Sequence, residues 1–219
     1  MKVDLRVYAL VDPERAGGRA LADLADLLAA GGATLLQLRD KRRDTRPMIE
    51  DARAIMAALA PHGVPLLIND RVDVALAAGA QGVHVGWDDM EARDARRLLG
   101  PDAIIGLSIK TIAQAARAPL ELLDYVAIGG VFVTLSKKNS DPPIGLAGLS
   151  RIAGAIRARA KMPVGAIAGI DAGNAAPLIA AGADGVAVIS ALSLASDPQT
   201  AARTLRGLVD AAIEKRSAA

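Results

Sequence analysis

The 219-residue sequence has no cysteine and few aromatic residues: one Trp, two Tyr and one Phe. Without cysteine there are no disulfides, no thiolate nucleophile and no sulfur-ligated metal. Aromatic residues make up 2% against a hydrophobic content of 52%, so the core must be built from Ala, Val, Leu and Ile. That composition suits buried parallel strands covered by helices. An excess of one charge is also lacking. Lys and Arg number 26 and Asp and Glu 24, a formal net charge of +2. Lys41–Arg43 is the only compact all-basic triplet, and no aromatic residue interleaves with it. A nucleic-acid or anionic-membrane role is therefore not expected. Long apolar runs are missing too. Stretches such as Gly185–Ser196 are closed off by charge, well short of the roughly 20 residues a membrane helix needs. The start, Met1–Val11, carries Asp4 and Arg6 inside its apolar run and shows no signal-peptide pattern. These absences point to a cytoplasmic protein. The length suits one domain over residues 1–219, with a frayed tail from about residue 216.

What is present is a regular beat of short apolar runs: Leu5–Val11, Leu35–Arg39, Pro65–Asn69, Gly82–Val85, Ile104–Ser108, Tyr125–Gly129, Pro163–Ala168 and Gly185–Ile189. Between them lie segments with helical spacing, such as Leu21, Leu24, Leu27 and Leu28, or Ile49, Ala52, Ile55, Met56 and Leu59. Strands alternating with helices imply parallel pairing, because each parallel connection needs a crossover. Eight units of about 27 residues predict an α/β fold, the (β/α)8 TIM barrel. An open doubly wound sheet is the rival, but Asp12-Pro13-Glu14-Arg15 stands where its Gly-rich turn would follow the first strand. A weak repeat supports the barrel: Ala78–Val85 resembles Ala181–Val188, half a barrel apart. A closing helix is predicted over Pro198–Lys215.

In such a barrel, chemistry sits at the carboxyl ends of the strands. The second strand ends Gln37-Leu38-Arg39-Asp40-Lys41, and alternation puts Gln37, Arg39 and Lys41 on one side as an anion cradle. The third and fourth strands end in Asn69-Asp70 and in Trp87-Asp88-Asp89. Carboxylates brought to one rim suit Mg²⁺ when a pyrophosphate supplies further oxygens. Helix capping by Asp70 and Asp88 is the plain alternative, and it leaves Asp89 spare. After the sixth strand, Thr134-Leu135-Ser136-Lys137 offers hydroxyls and an ammonium, or is simply a solvated loop tip. Gly169, Ile189 and Ser190 follow the seventh and eighth strands, where barrels commonly bind phosphate. Ser108 ends the fifth strand, and His84 reads as a hydrogen-bonded core residue. Tyr8 and Tyr125 fall within strands as packing residues, whereas Trp87 and Phe132 fall on the expected rim, where Trp87 would stack on a substrate ring.

Together these segments resemble the thiamine-phosphate synthase family over nearly the whole chain. The resemblance is carried by Gln37–Lys41, Leu67–Leu76, Gly82–Gly86 with Asp89, Thr134–Lys137, Gly145–Leu149, Ile167–Ile170 and Ala181–Ser190. It implies a transferase of thiamine biosynthesis that joins 4-amino-2-methyl-5-hydroxymethylpyrimidine diphosphate to a thiazole phosphate and releases pyrophosphate. It places Gln37, Leu38, Arg39, Asp40, Lys41, Asn69, Ser108 and Lys137 at the pyrimidine diphosphate, with Arg39, Lys41, Lys137 and Ser108 taking part in catalysis. Thr134, Leu135, Ser136, Gly169, Ile189 and Ser190 fall at the thiazole phosphate, and Asp70 and Asp89 on Mg²⁺. The partners implied are these small molecules, with assembly as a homo-oligomer left open.

Several positions depart from the family pattern: Trp87, Ile109-Lys110, Gly130, Val133 and Ala168. The rivals are a thiazole tautomerase on the same barrel, a non-catalytic barrel that binds thiamine precursors, and another phosphate-binding barrel of amino-acid biosynthesis. The tautomerase is associated with His near the fifth or sixth strand loop, where this chain has Lys110 and Gly130.

Overall fold

The computed structural model describes residues 3–134 and 142–218. In chain order the elements are β1 (Val7–Val11), α1 (Leu21–Ala30), β2 (Leu35–Leu38), α2 (Thr45–Leu59), β3 (Leu66–Asn69), α3 (Val72–Ala78), β4 (Gly82–Val85), α4 (Ala92–Leu99), β5 (Ile104–Ile109) and α5 (Ile112–Arg117). They continue with β6 (Tyr125–Ile128), α6 (Gly145–Arg157), β7 (Val164–Ile167), α7 (Ala175–Ala180), β8 (Gly185–Val188), the one-turn α8 (Ser190–Ser193) and α9 (Pro198–Ser217). The eight strands pair in parallel and close into a barrel, β1 to β8 in sequence order. This is the (β/α)8 fold, with each strand within two residues of the run that predicts it.

Alternation sorts the strand residues into two layers. Val7, Ala9 and Val11 of β1, Leu36 and Leu38 of β2, and Val186 and Val188 of β8 face outward into the layer shared with the helices. Tyr8, Leu10, Leu35, Leu67, Ile104, Tyr125, Ala127 and Ala187 face inward and fill the barrel. Gly106 makes room for the largest of these: a Cβ there would lie 2.0 Å from Cζ of Tyr125, its partner in the β5–β6 register.

The foot of the barrel carries a fourfold device. The residue directly before each even-numbered strand accepts a hydrogen bond from the backbone N–H at the start of the odd-numbered strand beside it. Thr34 Oγ1 takes Val7 N at 3.1 Å, Gln81 Oε1 takes Leu66 N at 2.8 Å, Asp124 Oδ2 takes Ile105 N at 2.8 Å and Asp184 Oδ2 takes Val164 N at 3.0 Å. A parallel strand start leaves a backbone donor with no ladder partner, and these side chains satisfy it. The resemblance between Ala78–Val85 and Ala181–Val188 is two of these four quarters. Gly82 and Gly185 recur in it because a Cβ at either would lie within 2 Å of a neighbouring carbonyl oxygen, that of Ile104 or of Leu5.

The closing helix runs two residues past Lys215. Arg216 anchors its end, donating to Asp184 Oδ1 at 3.0 Å and to the Ile179 carbonyl at 3.1 Å. Among the described residues no helix is long and apolar enough to cross a membrane.

Candidate active site

The carboxyl ends of the strands surround a cavity of about 430 Å³ whose lining includes Gln37, Arg39, Asn69, Ser108, Thr134, Gly169, Ile189 and Ser190. Eight residues singled out from sequence thus meet in one mouth. Leu135, Ser136 and Lys137 lie outside the described residues.

On the β2–β4 arc, Arg39 is held in place by Asp12, which is buried and ion-paired to it. Asp12 also caps the short turn after β1, accepting from Glu14 N at 2.9 Å. In the sequence Asp12 stands out only as a break in a dinucleotide pattern. Its role as the partner of Arg39 emerges once β1 and β2 pair with Val11 beside Leu38. Lys41 is ion-paired to Asp70. The other two members of Gln37–Lys41 direct their side chains elsewhere. Leu38 points into the outer apolar layer. Asp40 is turned back to staple its own loop, accepting from Arg42 N at 2.9 Å and Arg43 N at 3.0 Å. Alternation explains both: the inward positions are Gln37 and Arg39.

Capping does not explain Asp70 or Asp88. The N-cap of α3 is Arg71 and that of α4 is Glu91. Asp70 instead adopts φ 60, a left-handed conformation that aspartate tolerates better than most residues. There it meets Lys41 and Asp89. Asp89 is not spare, since its Oδ2 accepts from Gly86 N at 2.8 Å, and Gly86 is Gly because a Cβ would lie 2.7 Å from that oxygen.

Burial pushes the Asp70 carboxyl above its ordinary range. Lys41 opposes the shift and Asp89 adds to it. A carboxyl with a raised folded-state pKa favours folding below its unfolded value of 3.8 and loses that contribution as the pH rises through the raised value. At neutral pH the charged pair therefore weakens the metal-free fold. Asp70→Asn, which keeps the left-handed backbone and the acceptor for Asn69 Nδ2, is expected to raise the Tm of metal-free protein by about 2 °C. A lower Tm in EDTA would contradict this electrostatic picture.

On the β6–β8 arc the loops after β6 and β7 cross at close range. Phe132 N donates to the Ala168 carbonyl at 3.2 Å. A Cβ on Gly169 would sit 2.3 Å from the Val133 carbonyl oxygen, so this glycine admits the β6 loop. Ala168 is held at φ 99, a conformation costing about 1–3 kcal/mol for a residue with a Cβ. Ala168→Gly is expected to stabilise the fold by about 1 kcal/mol after the glycine's own entropy cost. The Tm would rise by about 2–4 °C; an unchanged or lower Tm would show that Ala168 is not strained.

The two tyrosines pack within the barrel as their strand positions predict, whereas Trp87 and Phe132 are absent from the cavity lining. Trp87 does not line the mouth: it packs on the outer apolar layer with the Arg117 guanidinium 5.5 Å from its ring centroid. Phe132 joins the same layer. Tyr8 and Tyr125 are buried inside the barrel and lie edge to face with centroids 5.8 Å apart. The hydroxyl of Tyr8 accepts from Gln37 Nε2 and lies 2.8 Å from that of Tyr125. His84 Nδ1 is 2.8 Å from the Tyr125 hydroxyl, and its Nε2 is 2.8 Å from Ser108 Oγ. His84 is thus the hydrogen-bonded interior residue its place in a strand predicts. The Ser108–His84 contact has the reach of a nucleophile and its base, but a phenol stands behind the imidazole where a triad has a carboxylate to stabilise imidazolium.

Lys110 lines the cavity as well. Its backbone N–H donates to Gln114 Oε1 at 2.7 Å, within the capping box that Gln114 forms with Thr111.

Comparison with known proteins agrees with this geometry. The family model described as thiamine monophosphate synthase matches residues 7–192. The thiamine-phosphate synthase of Agrobacterium fabrum is 53% identical over 216 residues, covering 98% of each chain. That of Albidiferax ferrireducens is 48% identical, covering 94% of this chain and 93% of its own. Among solved structures, the thiamine phosphate pyrophosphorylase from Pyrococcus furiosus superposes with a TM-score of 0.85 at 33% identity, covering 97% of this chain and 98% of that one. A Mycobacterium tuberculosis tryptophan synthase, at 16% identity and a TM-score of 0.69, shares the fold. With the cavity, its two polar arcs and this full-length likeness together, the chain belongs to the thiamine monophosphate synthase family.

Proposed function

We infer that the chain is a thiamine-phosphate synthase, joining 4-amino-2-methyl-5-hydroxymethylpyrimidine diphosphate to a thiazole phosphate with release of pyrophosphate. The observation that carries this reading is one mouth with two polar arcs on opposite sides of the barrel, each of a composition suited to an anion. On one arc Arg39, Lys41 and Asn69 receive the diphosphate, and Lys110 adds a cation at the β5 edge. On the other, Gly169, Ile189, Ser190 and Thr134 receive the thiazole phosphate, at the loops where barrels commonly use backbone N–H groups for that purpose. Lys137, Leu135 and Ser136 complete these sites on the family pattern.

Asp70 and Asp89 fit a divalent cation. Two carboxylates from adjacent strand ends are held together at an energetic cost that a hard cation would reverse, and no group of three or more His, Cys, Asp or Glu occurs among the described residues. Asp70 and Asp89 would hold such an ion, Mg²⁺ in this reading, and it would supply positive charge to offset what develops on the departing pyrophosphate. Arg39 and Lys41 stabilise the same charge through direct contacts. The electron-rich aminopyrimidine delocalises the positive charge left on its methylene carbon as the C–O bond breaks. The thiazole nitrogen, positioned through its phosphate, then forms the new C–N bond. No enzyme nucleophile enters this sequence, which fits a chain without cysteine whose Ser108 has no carboxylate behind its histidine.

The isomerase and binding-protein alternatives draw no support from the relatives, which are named as synthases over their full length. Mass spectrometry of the protein mixed with Mg²⁺ and both substrates should show thiamine phosphate, and neither substrate alone should give it. Conversion of the thiazole phosphate to an isomer without coupling would overturn the reading.

A further inference from the structure

The hydrogen bonds on the cavity floor run through five strands as one chain: Gln37, Tyr8, Tyr125, His84 and Ser108. Four of its members line the cavity, and Tyr125 does not. Donor chemistry gives the chain a direction. The amide nitrogen of Gln37 can only donate, so the Tyr8 oxygen accepts and its own proton goes to Tyr125. Tyr125 in turn donates to His84 Nδ1. An accepting Nδ1 makes His84 the Nε2–H tautomer, and Nε2–H then donates to Ser108 Oγ. Burial raises both phenols well above their ordinary range, so each keeps the proton this order requires. At the two ends, Gln37 is left with its carbonyl oxygen for a ligand and Ser108 with its O–H.

A glutamine amide in isolation flips at little cost and would serve a donor or an acceptor equally. Here a flip puts the Gln37 carbonyl against Tyr8, so both phenols, the imidazole tautomer and the Ser108 hydroxyl must all reverse. We propose that this relay is a specificity device: Tyr8, Tyr125 and His84 are positioning residues that lock Gln37 as an acceptor and Ser108 as a donor, selecting a 4-aminopyrimidine over its 4-oxo counterpart. The exocyclic amine donates to the Gln37 carbonyl, and a ring nitrogen or diphosphate oxygen accepts from Ser108. A 4-oxo ring would set carbonyl against carbonyl. The assignment rests on the synthase reading for its substrate, but the direction of the relay is a property of the free protein.

Tyr125→Phe is the test, because it touches no substrate and keeps the ring in the space beside Gly106. It cuts the relay, leaving the Gln37 flip coupled only to Tyr8. The wild type should prefer the 4-amino to the 4-oxo pyrimidine diphosphate in kcat/KM by about a thousandfold or more. Tyr125→Phe should lower that ratio at least tenfold, while kcat/KM for the 4-amino substrate falls by about tenfold or less. In parallel, ¹⁵N NMR of the free wild-type protein should find His84 as the Nε2–H tautomer. A ratio unchanged within about twofold in a folded Tyr125→Phe protein would overturn the proposal, as would an Nδ1–H tautomer. A wild type inert towards both pyrimidines would sink the synthase reading instead, with the tautomer still deciding the direction of the relay.

Discussion

Asp89→Asn is expected to lower kcat/KM by about 100-fold or more at saturating Mg²⁺, the equivalent of losing roughly 3 kcal/mol of transition-state stabilisation. Asparagine is chosen over alanine because Asp89 has two tasks. Its Oδ2 holds the turn after β4 through Gly86 N, and an amide oxygen can still accept that bond. What the substitution removes is the charge facing Asp70. The fold should therefore survive, with a circular dichroism spectrum and Tm close to wild type. Asp89→Ala, which also releases the turn, should be at least as inactive and less stable. Near-normal kcat/KM for Asp89→Asn would take Asp89 out of the cation site and leave it as a turn residue only.

Gly106→Ala is expected to destabilise the barrel by about 3 kcal/mol, at the upper end of overpacking costs, which lowers Tm by about 6–12 °C in a chain of this size. The added methyl would overlap the Tyr125 ring, which is fully buried and packed against Tyr8 and His84. The mechanism can be isolated with a double substitution. In a Tyr125→Ala background the collision partner is gone, so adding Gly106→Ala should cost nearly nothing, and the two changes should be strongly non-additive. Additive losses would mean that Gly106 is required for its backbone and not for the space it leaves.

The architecture was legible because its signals are strong and local. A strand buried on both faces needs an unbroken run of Val, Ile and Leu, and eight such runs at a regular spacing leave few alternatives to a barrel. Gln37, Arg39, Asn69, Ser108, Gly169, Ile189 and Ser190 could be singled out for the same reason: they stand at strand ends, and all of them line the cavity. The failures share a cause. Asp12 was invisible as a partner of Arg39, since their contact depends on the β1–β2 register. Asp40 and Leu38 lie in the same segment as Gln37 and Arg39, but their side chains serve the loop and the outer layer, a division that spacing alone does not display. Asp70 and Asp88 have capping spacing, but local spacing does not show that the chain passes through a left-handed residue at Asp70.

The aromatic residues teach the same lesson in reverse. A rim position suggested Trp87 as a stacking platform, and it packs on the outer layer instead; a strand position suggested Tyr8 and Tyr125 as packing residues, which they are, with hydroxyls that also carry hydrogen bonds. Each inference used place along the chain, whereas function depends on which face a residue presents and what lies opposite. Tyr8 presents its hydroxyl to Gln37, and Tyr125 fits because Gly106 stands beside it. In a chain with four aromatic residues, one, Tyr8, lines the cavity and another, Tyr125, packs behind it.

Isothermal titration calorimetry with inorganic pyrophosphate and the thiazole phosphate tests most directly whether one mouth holds two separate anion sites. Pyrophosphate should bind at one site per chain with Mg²⁺ and lose most of its affinity in EDTA or in Asp70→Asn. The thiazole phosphate should bind one site per chain whether or not pyrophosphate is already present, and EDTA should leave its affinity unchanged. Mutual exclusion of the two ligands, or equal sensitivity of both to EDTA, would contradict the division of the mouth into a cation-assisted arc at β2–β4 and a cation-independent one at β6–β8.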